Sequence, residues 1–150
     1  MSHSAADGEL AGFLEEQIRR FVPNCDVFRT TRTGQIMPGE EWFRVITEKL
    51  REASLFLVLV TPNSVNRPWM WFEAGAGWMT SRPVLPVNVA IAKADIPEPL
   101  RFFQIYSLEN SEEASTVFAK LGGALQEPQM FASAVRRLGA TVREKADLGA

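Results

Sequence analysis

The apolar positions of the chain change period along its length, which predicts short strands separated by helices. The longest apolar run, Leu55–Val60, is unbroken, as is typical of a strand covered on both faces. Val84–Val89 and Phe103–Leu108 predict further strands, and Pro86 indicates a bulge or an edge position in its strand. Asp26–Phe28 is a shorter strand candidate.

Apolar residues at helical spacing predict five helices between these strands. The helices are expected over Leu10–Phe21, Trp42–Leu50, Pro68–Met79, Ser111–Leu121 and Met130–Lys145. Ser4, followed three residues later by Asp7, predicts a variant capping box before the first helix. The alternation of strands and helices predicts an α/β fold with a parallel sheet between two helical layers. We expect residues 1–128 to form one domain and residues 129–150 to form a helical extension of it.

Ligands of parallel α/β sheets bind at the carboxyl ends of the strands. Three segments follow predicted strand ends and should gather on one rim: Ser2–Ser4, Arg29–Gly39 and Asn63–Glu73. Glu73 is the only charged residue between Arg67 and Arg82. A carboxylate in such an apolar stretch is costly unless it is paired, solvated or used in chemistry. The residues alone leave open whether Glu73 is a reactive group or an acid on a solvated helix face.

The amino-acid composition argues against several classes of protein. Apolar residues make up 46% of the chain, and 16 basic against 18 acidic residues give a net charge of -2, which favours neither disorder nor nucleic-acid binding. The single cysteine, Cys25, permits no internal disulfide and fits a cytoplasmic protein. We expect no metal site, no membrane span and no signal peptide. Gly75-Ala76-Gly77 lacks the third glycine of a dinucleotide fingerprint, so no bound cofactor is expected.

Five segments, taken in order, resemble the Toll/interleukin-1 receptor (TIR) domain in its bacterial form. They are Ser2–Asp7, Val27-Phe28, Ile36–Trp42, Leu57–Ser64 and the Trp-x-x-x-Glu of Trp69–Glu73. Each segment is a weak signal alone, but their order and spacing over residues 2 to 110 are specific. The resemblance implies a flavodoxin-like three-layer sandwich with a central parallel sheet.

Many TIR domains cleave NAD+ at the nicotinamide–ribose bond, and the resemblance places the catalytic glutamate on Glu73. It places the preceding tryptophan on Trp69, which shares a helix face with Glu73 because the two are four residues apart. The Arg29–Gly39 segment aligns with the loop that borders the NAD+ pocket and joins neighbouring domains. Further substrate contacts are expected from His3, Ser4, Ile36, Gly39 and Trp42. Ser4 could instead only cap a helix and Trp42 could be core, while we interpret Trp71, Phe72, Trp78 and Met79 as core or packing surface.

The resemblance thus implies an NAD+ nucleosidase that releases nicotinamide and ADP-ribose or a cyclic ADP-ribose isomer, with NAD+ as substrate rather than cofactor. It further implies a role in bacterial antiphage defence or immune signalling, self-association through the Arg29–Gly39 loop, and a separate sensor or effector protein. The alternatives are a non-catalytic TIR adaptor that self-associates, and a related hydrolase or transferase acting on nucleoside N-glycosidic bonds.

One feature departs from the family pattern. The first strand of the family should precede Ser2, where only Met1 stands. A missing strand would leave an apolar slot and unpaired backbone groups on its neighbours. We therefore expect either a truncated first strand or an added segment, such as the C-terminal extension, that fills the slot.

Overall fold

The computed structural model describes residues 1–29, 44, 48–49, 51–79 and 81–149, and within residues 68–79 the side chains of 69, 70, 72, 73, 76 and 77 lie outside that description. The main elements, in chain order, are α1 (Gly8–Phe21), β1 (Phe56–Val60), α2 (Pro68–Met79), β2 (Val84–Asn88), β3 (Tyr106–Ser107), α3 (Ser111–Lys120) and α4 (Pro128–Leu148). Short 3-10 turns occupy Ala5–Asp7, Lys93–Asp95 and Leu100–Phe102.

The described strands form a parallel sheet in the order β1-β2-β3. Phe56 lies opposite Val84 at one end of the β1–β2 ladder, and Val60 lies opposite Asn88 at the other. On the free side of β1, Ser2 forms a parallel bridge with Val58. The arrangement is the predicted flavodoxin-like α/β fold.

Both faces of β1 are buried, as its unbroken apolar run predicts. Leu57 and Leu59 point into a core formed with apolar side chains of α1, α3 and α4, including Leu10, Leu14, Phe118 and Val135. Phe56, Val58 and Val60 point into a second core with Val65 and Ala74. The two cores lie on opposite faces of the sheet and so define the three layers. Each fully buried large aliphatic side chain stabilises the folded state by about 2 kcal/mol.

Pro86 lies at a local edge of the sheet, one of the two predicted positions, because among the described residues β2 has no ladder partner on its β3 side at this point. The hydrogen bonds from Phe56 N to Pro83 O and from Val89 N to Val60 O fix the ladder of β1 and β2, in which odd-numbered residues of β2 donate to β1. The nitrogen of Pro86 therefore faces β3, whose pairing with β2 starts only at Val87. The missing N–H consequently removes no ladder bond.

Most predicted elements are confirmed with small shifts at their ends, but the strand predicted over Phe103–Leu108 is reduced to the two residues Tyr106–Ser107. Helix α4 is longer than predicted and begins at Pro128, where the lack of an N–H is harmless. The strand predicted over Asp26–Phe28 is wrong, because no strand pairs with these residues in the described part of the chain. The amino group of Met1 donates to Phe28 O at 2.6 Å without forming a ladder. Residues 44, 48–49 and 51–52 are helical, whereas most of the predicted Trp42–Leu50 helix lies outside the described residues.

A slot remains open on the free side of β1. This cavity of about 590 Å³ lies between residues 24–28 and residues 54–57, with Met1 at one end. The proposal that the C-terminal extension fills it is wrong: α4 packs against α1 and α3 and contributes no residue to the slot. Helix α4 packs instead on α1 and α3, and its Phe131 ring stacks on Phe13.

Candidate functional site at the carboxyl edge of the sheet

Two of the three predicted segments, Ser2–Ser4 and the one that begins at Asn63, meet at the carboxyl end of β1. Ser2 N donates to Leu57 O at 2.8 Å, and Leu59 N donates to Ser2 O at 2.9 Å. His3 and Ser4 therefore leave the sheet beside Thr61, at the edge where ligands of parallel sheets bind.

Asp7 holds this edge together. Its carboxylate accepts a hydrogen bond from Thr61 Oγ1 at 2.6 Å and one from Asn63 Nδ2 at 2.8 Å. Asn63 Nδ2 also donates to Val142 O of α4 at 3.3 Å. Asp7 is only 1% exposed, so its charge is balanced by these donors rather than by bulk water. The predicted capping-box role of Asp7 is wrong, because its side chain makes no cap bond and binds the loop after β1.

The loop after β1 is fixed at both ends. Thr61 N donates to Ser64 Oγ at 2.8 Å, and Ser64 Oγ donates to Leu59 O at 3.0 Å, so the turn closes on the strand that precedes it. Trp71 Nε1 donates to Val65 O at 3.1 Å and thereby ties α2 to the same loop. The start of α2 is consequently set relative to the end of β1.

Helix α2 carries both residues of the Trp-x-x-x-Glu motif. It spans Pro68–Met79 as predicted, so positions 69 and 73 are one helical turn apart and lie on one face. The side chains of Trp69 and Glu73 themselves lie outside the described residues, and their predicted roles stay predictions.

His3 is buried beside this edge, and burial is the largest of the effects that lower the pKa of its imidazole below 6.5. The ring is therefore neutral at pH 7. Its Nδ1 lies 2.8 Å from Ser4 O, which can only accept, so Nδ1 carries the hydrogen and Nε2 is the acceptor nitrogen. His3 thus supplies a neutral ring with a defined tautomer, in the position predicted for a substrate contact.

Ser4 has a structural role in the described residues. Its Oγ accepts from Ala6 N at 3.3 Å and caps the 3-10 turn Ala5–Asp7 that leads into α1. The capping interpretation is confirmed, and a contact of Ser4 with substrate stays a prediction.

The predicted loop Arg29–Gly39 is described only at its first residue, so Ile36, Gly39 and Trp42 lie outside the described residues. Arg29 is fastened to α1: its Nε lies 2.7 Å from Glu15 Oε2, and its Nη1 donates to Gly8 O at 3.3 Å. Arg29 is therefore held beside α1 by an ion pair and a hydrogen bond.

The roles of two polar residues at this edge, Asp7 and Asn88, were not predicted from the sequence. Asp7 was interpreted only as a helix cap, although an acid just after the first strand and a Thr-Pro-Asn-Ser turn after the next strand are complementary hydrogen-bonding partners. Asn88 ends β2 opposite Val60; its Nδ2 donates to Ile91 O at 2.7 Å, while its buried Oδ1 has no partner in the described part of the chain. A polar residue ending a buried strand was the available signal for Asn88.

The polar groups described at this edge form hydrogen bonds with one another and with the backbone. Across the described ranges, no three His, Cys, Asp or Glu side chains are grouped so that they could hold a metal ion. None of the described helices combines the length and the apolar character needed to cross a membrane.

Comparison with known proteins agrees with the motif order and the fold. No curated protein matches this sequence. A family model described as the TIR domain matches residues 1–121, which is most of the chain and includes the edge described above except Val142 of α4. On that match, the chain belongs to the TIR domain family.

Proposed function

We propose that this TIR domain is an NAD+ nucleosidase in which Glu73 is the catalytic carboxylate and Trp69 lies beside it. The observation that carries the proposal is the position of α2. The helix starts eight residues after β1 ends, is tied to the intervening loop by Trp71, and holds positions 69 and 73 on one face. A motif of this kind, at the ligand-binding edge of a parallel sheet, suits a catalytic carboxylate with an aromatic wall.

The chemistry of NAD+ requires only one carboxylate. When the bond between the ribose C1′ and the nicotinamide nitrogen breaks, the bonding electrons neutralise the pyridinium, so the leaving group needs no proton. The ribose develops oxocarbenium character, which a nearby carboxylate stabilises by its charge or by holding the ribose hydroxyls. Addition of water at C1′ then gives ADP-ribose and a proton, whereas attack by a nucleophilic atom of the same ADP-ribose gives a cyclic isomer.

The other predicted contacts are proposed to act with Glu73 and Trp69. His3, with a neutral ring and Nε2 as the acceptor, is suited to a hydrogen bond from an amide or a hydroxyl of the substrate. Ser4, Ile36, Gly39 and Trp42 are proposed as further contacts. The Arg29–Gly39 loop is proposed to join neighbouring copies, and the domain to act in bacterial antiphage defence with a separate sensor or effector.

A non-catalytic adaptor that works by self-association is the second candidate. The observation that favours it is the end of α2, where Trp78 is 68% exposed and Met79 is 83% exposed. Two large apolar side chains left in water on one helix are suited to an interface between copies. Self-association is also compatible with catalysis, so only an activity measurement separates the two functions.

The experiment is nicotinamide release from NAD+ at high protein concentration, for the wild type, Glu73→Gln and Trp69→Ala. Glu144→Gln is the matched control, because Glu144 is an exposed acid of α4 outside the proposed site. We expect Glu73→Gln to lower the rate at least about 100-fold and Glu144→Gln to leave it unchanged. Thermal unfolding of each variant verifies that the fold is retained.

Two outcomes contradict the proposal. Absence of nicotinamide release by the wild type, under conditions where it self-associates, would select the adaptor function. Release that survives Glu73→Gln unchanged would place the catalytic carboxylate on another residue.

A further inference from the structure

Helix α4 contacts the loops that follow β1 and β2 at the carboxyl edge of the sheet. Val142 O accepts a hydrogen bond from Asn63 Nδ2, in the loop after β1, at 3.3 Å. At the next position of the helix, Arg143 Nη2 donates to Ala90 O, two residues after β2, at 3.1 Å. The TIR match ends at residue 121, so α4 reaches the candidate site from outside the matched range.

The same side of α4 also meets the chain just beyond β3. Arg136 Nη1 donates to Glu109 O at 2.8 Å. A methyl group at Gly139 would lie 3.1 Å from Val89 Cγ1 and 3.3 Å from Glu109 Oε1, so the helix approaches this edge closely. At 3.6 residues per turn, positions 136, 139, 142 and 143 fall within about 120° of the helix surface. One side of α4 therefore binds the loops after all three described strands.

The chain after β2 is held in a strained conformation at this contact. Ala90 has φ 60°, in the left-handed region that is costly for a residue with a Cβ atom. Two neighbours hold it there: its N–H donates to Glu109 Oε2 at 3.0 Å, and its carbonyl accepts from Arg143. Because such strain persists only while the surroundings oppose its release, the conformation of the loop after β2 depends on Arg143.

The contact with the loop after β1 leads toward the proposed catalytic helix. The Nδ2 group of Asn63 has two hydrogens, and it donates to the buried carboxylate of Asp7 and to Val142 O. The same loop is tied to α2 by the hydrogen bond from Trp71 Nε1 to Val65 O. A shift of α4 therefore removes support from the loop that sets the start of α2.

We propose that α4 is a positioning element of the candidate site, and that Arg143 is the positioning residue that keeps its C-terminal turns in place. Docked α4 holds the loops after β1, β2 and β3 in the arrangement that binds NAD+, and loss of the Arg143 contact releases these loops together. The statement about NAD+ rests on the proposed function, whereas the coupling between the loops does not.

The first test follows amide hydrogen exchange in the full chain and needs no activity. Arg143→Met removes the donor to Ala90 O, and Gly139→Ala favours the helix itself but crowds its approach to the edge. Arg143→Lys is the conservative variant, because it keeps a donor. Arg137→Met is the matched control, since Arg137 donates to Ser133 Oγ of α4 itself at 3.3 Å.

We expect Arg143→Met and Gly139→Ala to speed exchange about three- to tenfold at the N–H of Ala90 and at the N–H of Asn63. Arg143→Lys should restore most of the protection, and Arg137→Met should change neither rate. A contact with a purely local role would alter Ala90 alone. Exchange at Asn63 that stays at the wild-type rate in either folded variant would overturn the proposal.

The second test is the steady-state kinetics of nicotinamide release. Substrate that binds only the docked arrangement restores it at saturation, so Arg143→Met should raise the KM for NAD+ about three- to tenfold and leave kcat within about twofold of the wild type. Equal KM values for the wild type and Arg143→Met, or an equal rise in Arg137→Met, would overturn the positioning role. If the wild type releases no nicotinamide, the proposed function fails, and the exchange rates at Asn63 decide whether α4 positions the edge.

Discussion

The carboxylate of Asp7 and the hydroxyl of Thr61 are joined by a 2.6 Å hydrogen bond across 54 residues of sequence, with both side chains buried. The bond links the start of the chain to the loop that leads into α2. Because Asn63 donates to the same carboxylate and to α4, one acid connects three parts of the fold at the candidate site.

Asp7→Ala should therefore lower the free energy of unfolding by about 3 kcal/mol, because two hydrogen bonds to a charged group are lost and buried donors remain. The measurement is urea-induced unfolding of the variant and the wild type. Asp147→Ala, at an exposed acid near the end of α4, should change the same quantity by less than about 0.5 kcal/mol. A loss under about 1 kcal/mol for Asp7→Ala would contradict the structural role.

His3 should make stability depend on pH. Burial lowers the pKa of its imidazole in the folded state below the 6.5 of the unfolded chain, so the unfolded state binds the proton more readily. The stability that His3 contributes is complete above pH 6.5 and is lost as the pH falls toward the lowered pKa. In His3→Gln the fall in melting temperature between about pH 7.5 and pH 5.5 should be smaller than in the wild type. Equal falls in the two proteins would exclude this linkage.

The sequence predicted elements whose signals are local. The unbroken run of β1 predicted burial on both faces, and helical spacing predicted α3 from Ser111, where the Asn110 side chain accepts from Glu112 N and Glu113 N. The strand predicted over Asp26–Phe28 is absent, which its own residues could not indicate, because a strand exists only where a neighbour pairs with it. Only the general position of the site was predicted. The order of strands and helices along the chain placed His3 beside the loop after β1, because both follow strand ends at the same edge of the sheet.

Trp71 and Trp78 of α2 are the same residue type but differ in burial. The sequence pattern did not predict which of them would be buried. Trp71 is half-buried and hydrogen-bonded, whereas Trp78 and Met79 are exposed and do not belong to the core. A stretch that is apolar on every side has no periodic signal to orient the helix. Which face of the helix is buried depends on residues that are distant in sequence. The hydrogen bond between Asp7 and Thr61 likewise joins residues that are far apart in the chain.

Trp71→Phe should lower the free energy of unfolding by about 1 kcal/mol or more, because it removes the hydrogen bond to Val65 O and leaves a smaller side chain in a packed site. Trp78→Phe is the matched control and should cause almost no change, since its side chain is mostly in water. Chemical denaturation of both variants tests the difference. Similar losses at the two positions would mean that the helix is oriented differently.

Glu113 should stabilise the fold at neutral pH and lose that effect in acid. Burial raises the pKa of its carboxyl, but hydrogen bonds from Lys93 Nζ at 2.7 Å and Ser107 N at 2.6 Å outweigh burial and leave the pKa below 4.5. The contribution is therefore present above pH 4.5 and declines as the pH falls through the lowered pKa. Glu113→Gln should reduce the melting temperature at pH 7 more than at about pH 3.5.

Glu112→Gln is the control for this pH dependence, because Glu112 lies in the same helical turn but its side chain is exposed. It shares the helix-dipole effect with Glu113 and lacks the two hydrogen bonds. A difference between wild type and Glu113→Gln that does not vary with pH, or that is matched by Glu112→Gln, would contradict the role of the Lys93 and Ser107 contacts.

Gly123 joins the ends of α3 and α1, and no larger residue fits there. Its N–H donates to Phe118 O at 2.9 Å, and a Cβ at this position would overlap the backbone carbonyl of Phe21 and crowd Val22. Since the obstructing atom is main chain, relief requires α1 and α3 to separate. Gly123→Ala should thus lower the free energy of unfolding by about 2 kcal/mol, measured by urea denaturation.

Gly8→Ala is the matched control for Gly123→Ala. A Cβ at Gly8 would meet no atom within 4 Å, and its backbone is already helical at φ -54°. Alanine there should be neutral or should stabilise the protein by up to about 1 kcal/mol, because it restricts the unfolded chain. If both substitutions were neutral, the close approach of α3 to the Phe21 carbonyl would not exist in solution; if both destabilised equally, the effect would not come from the overlap.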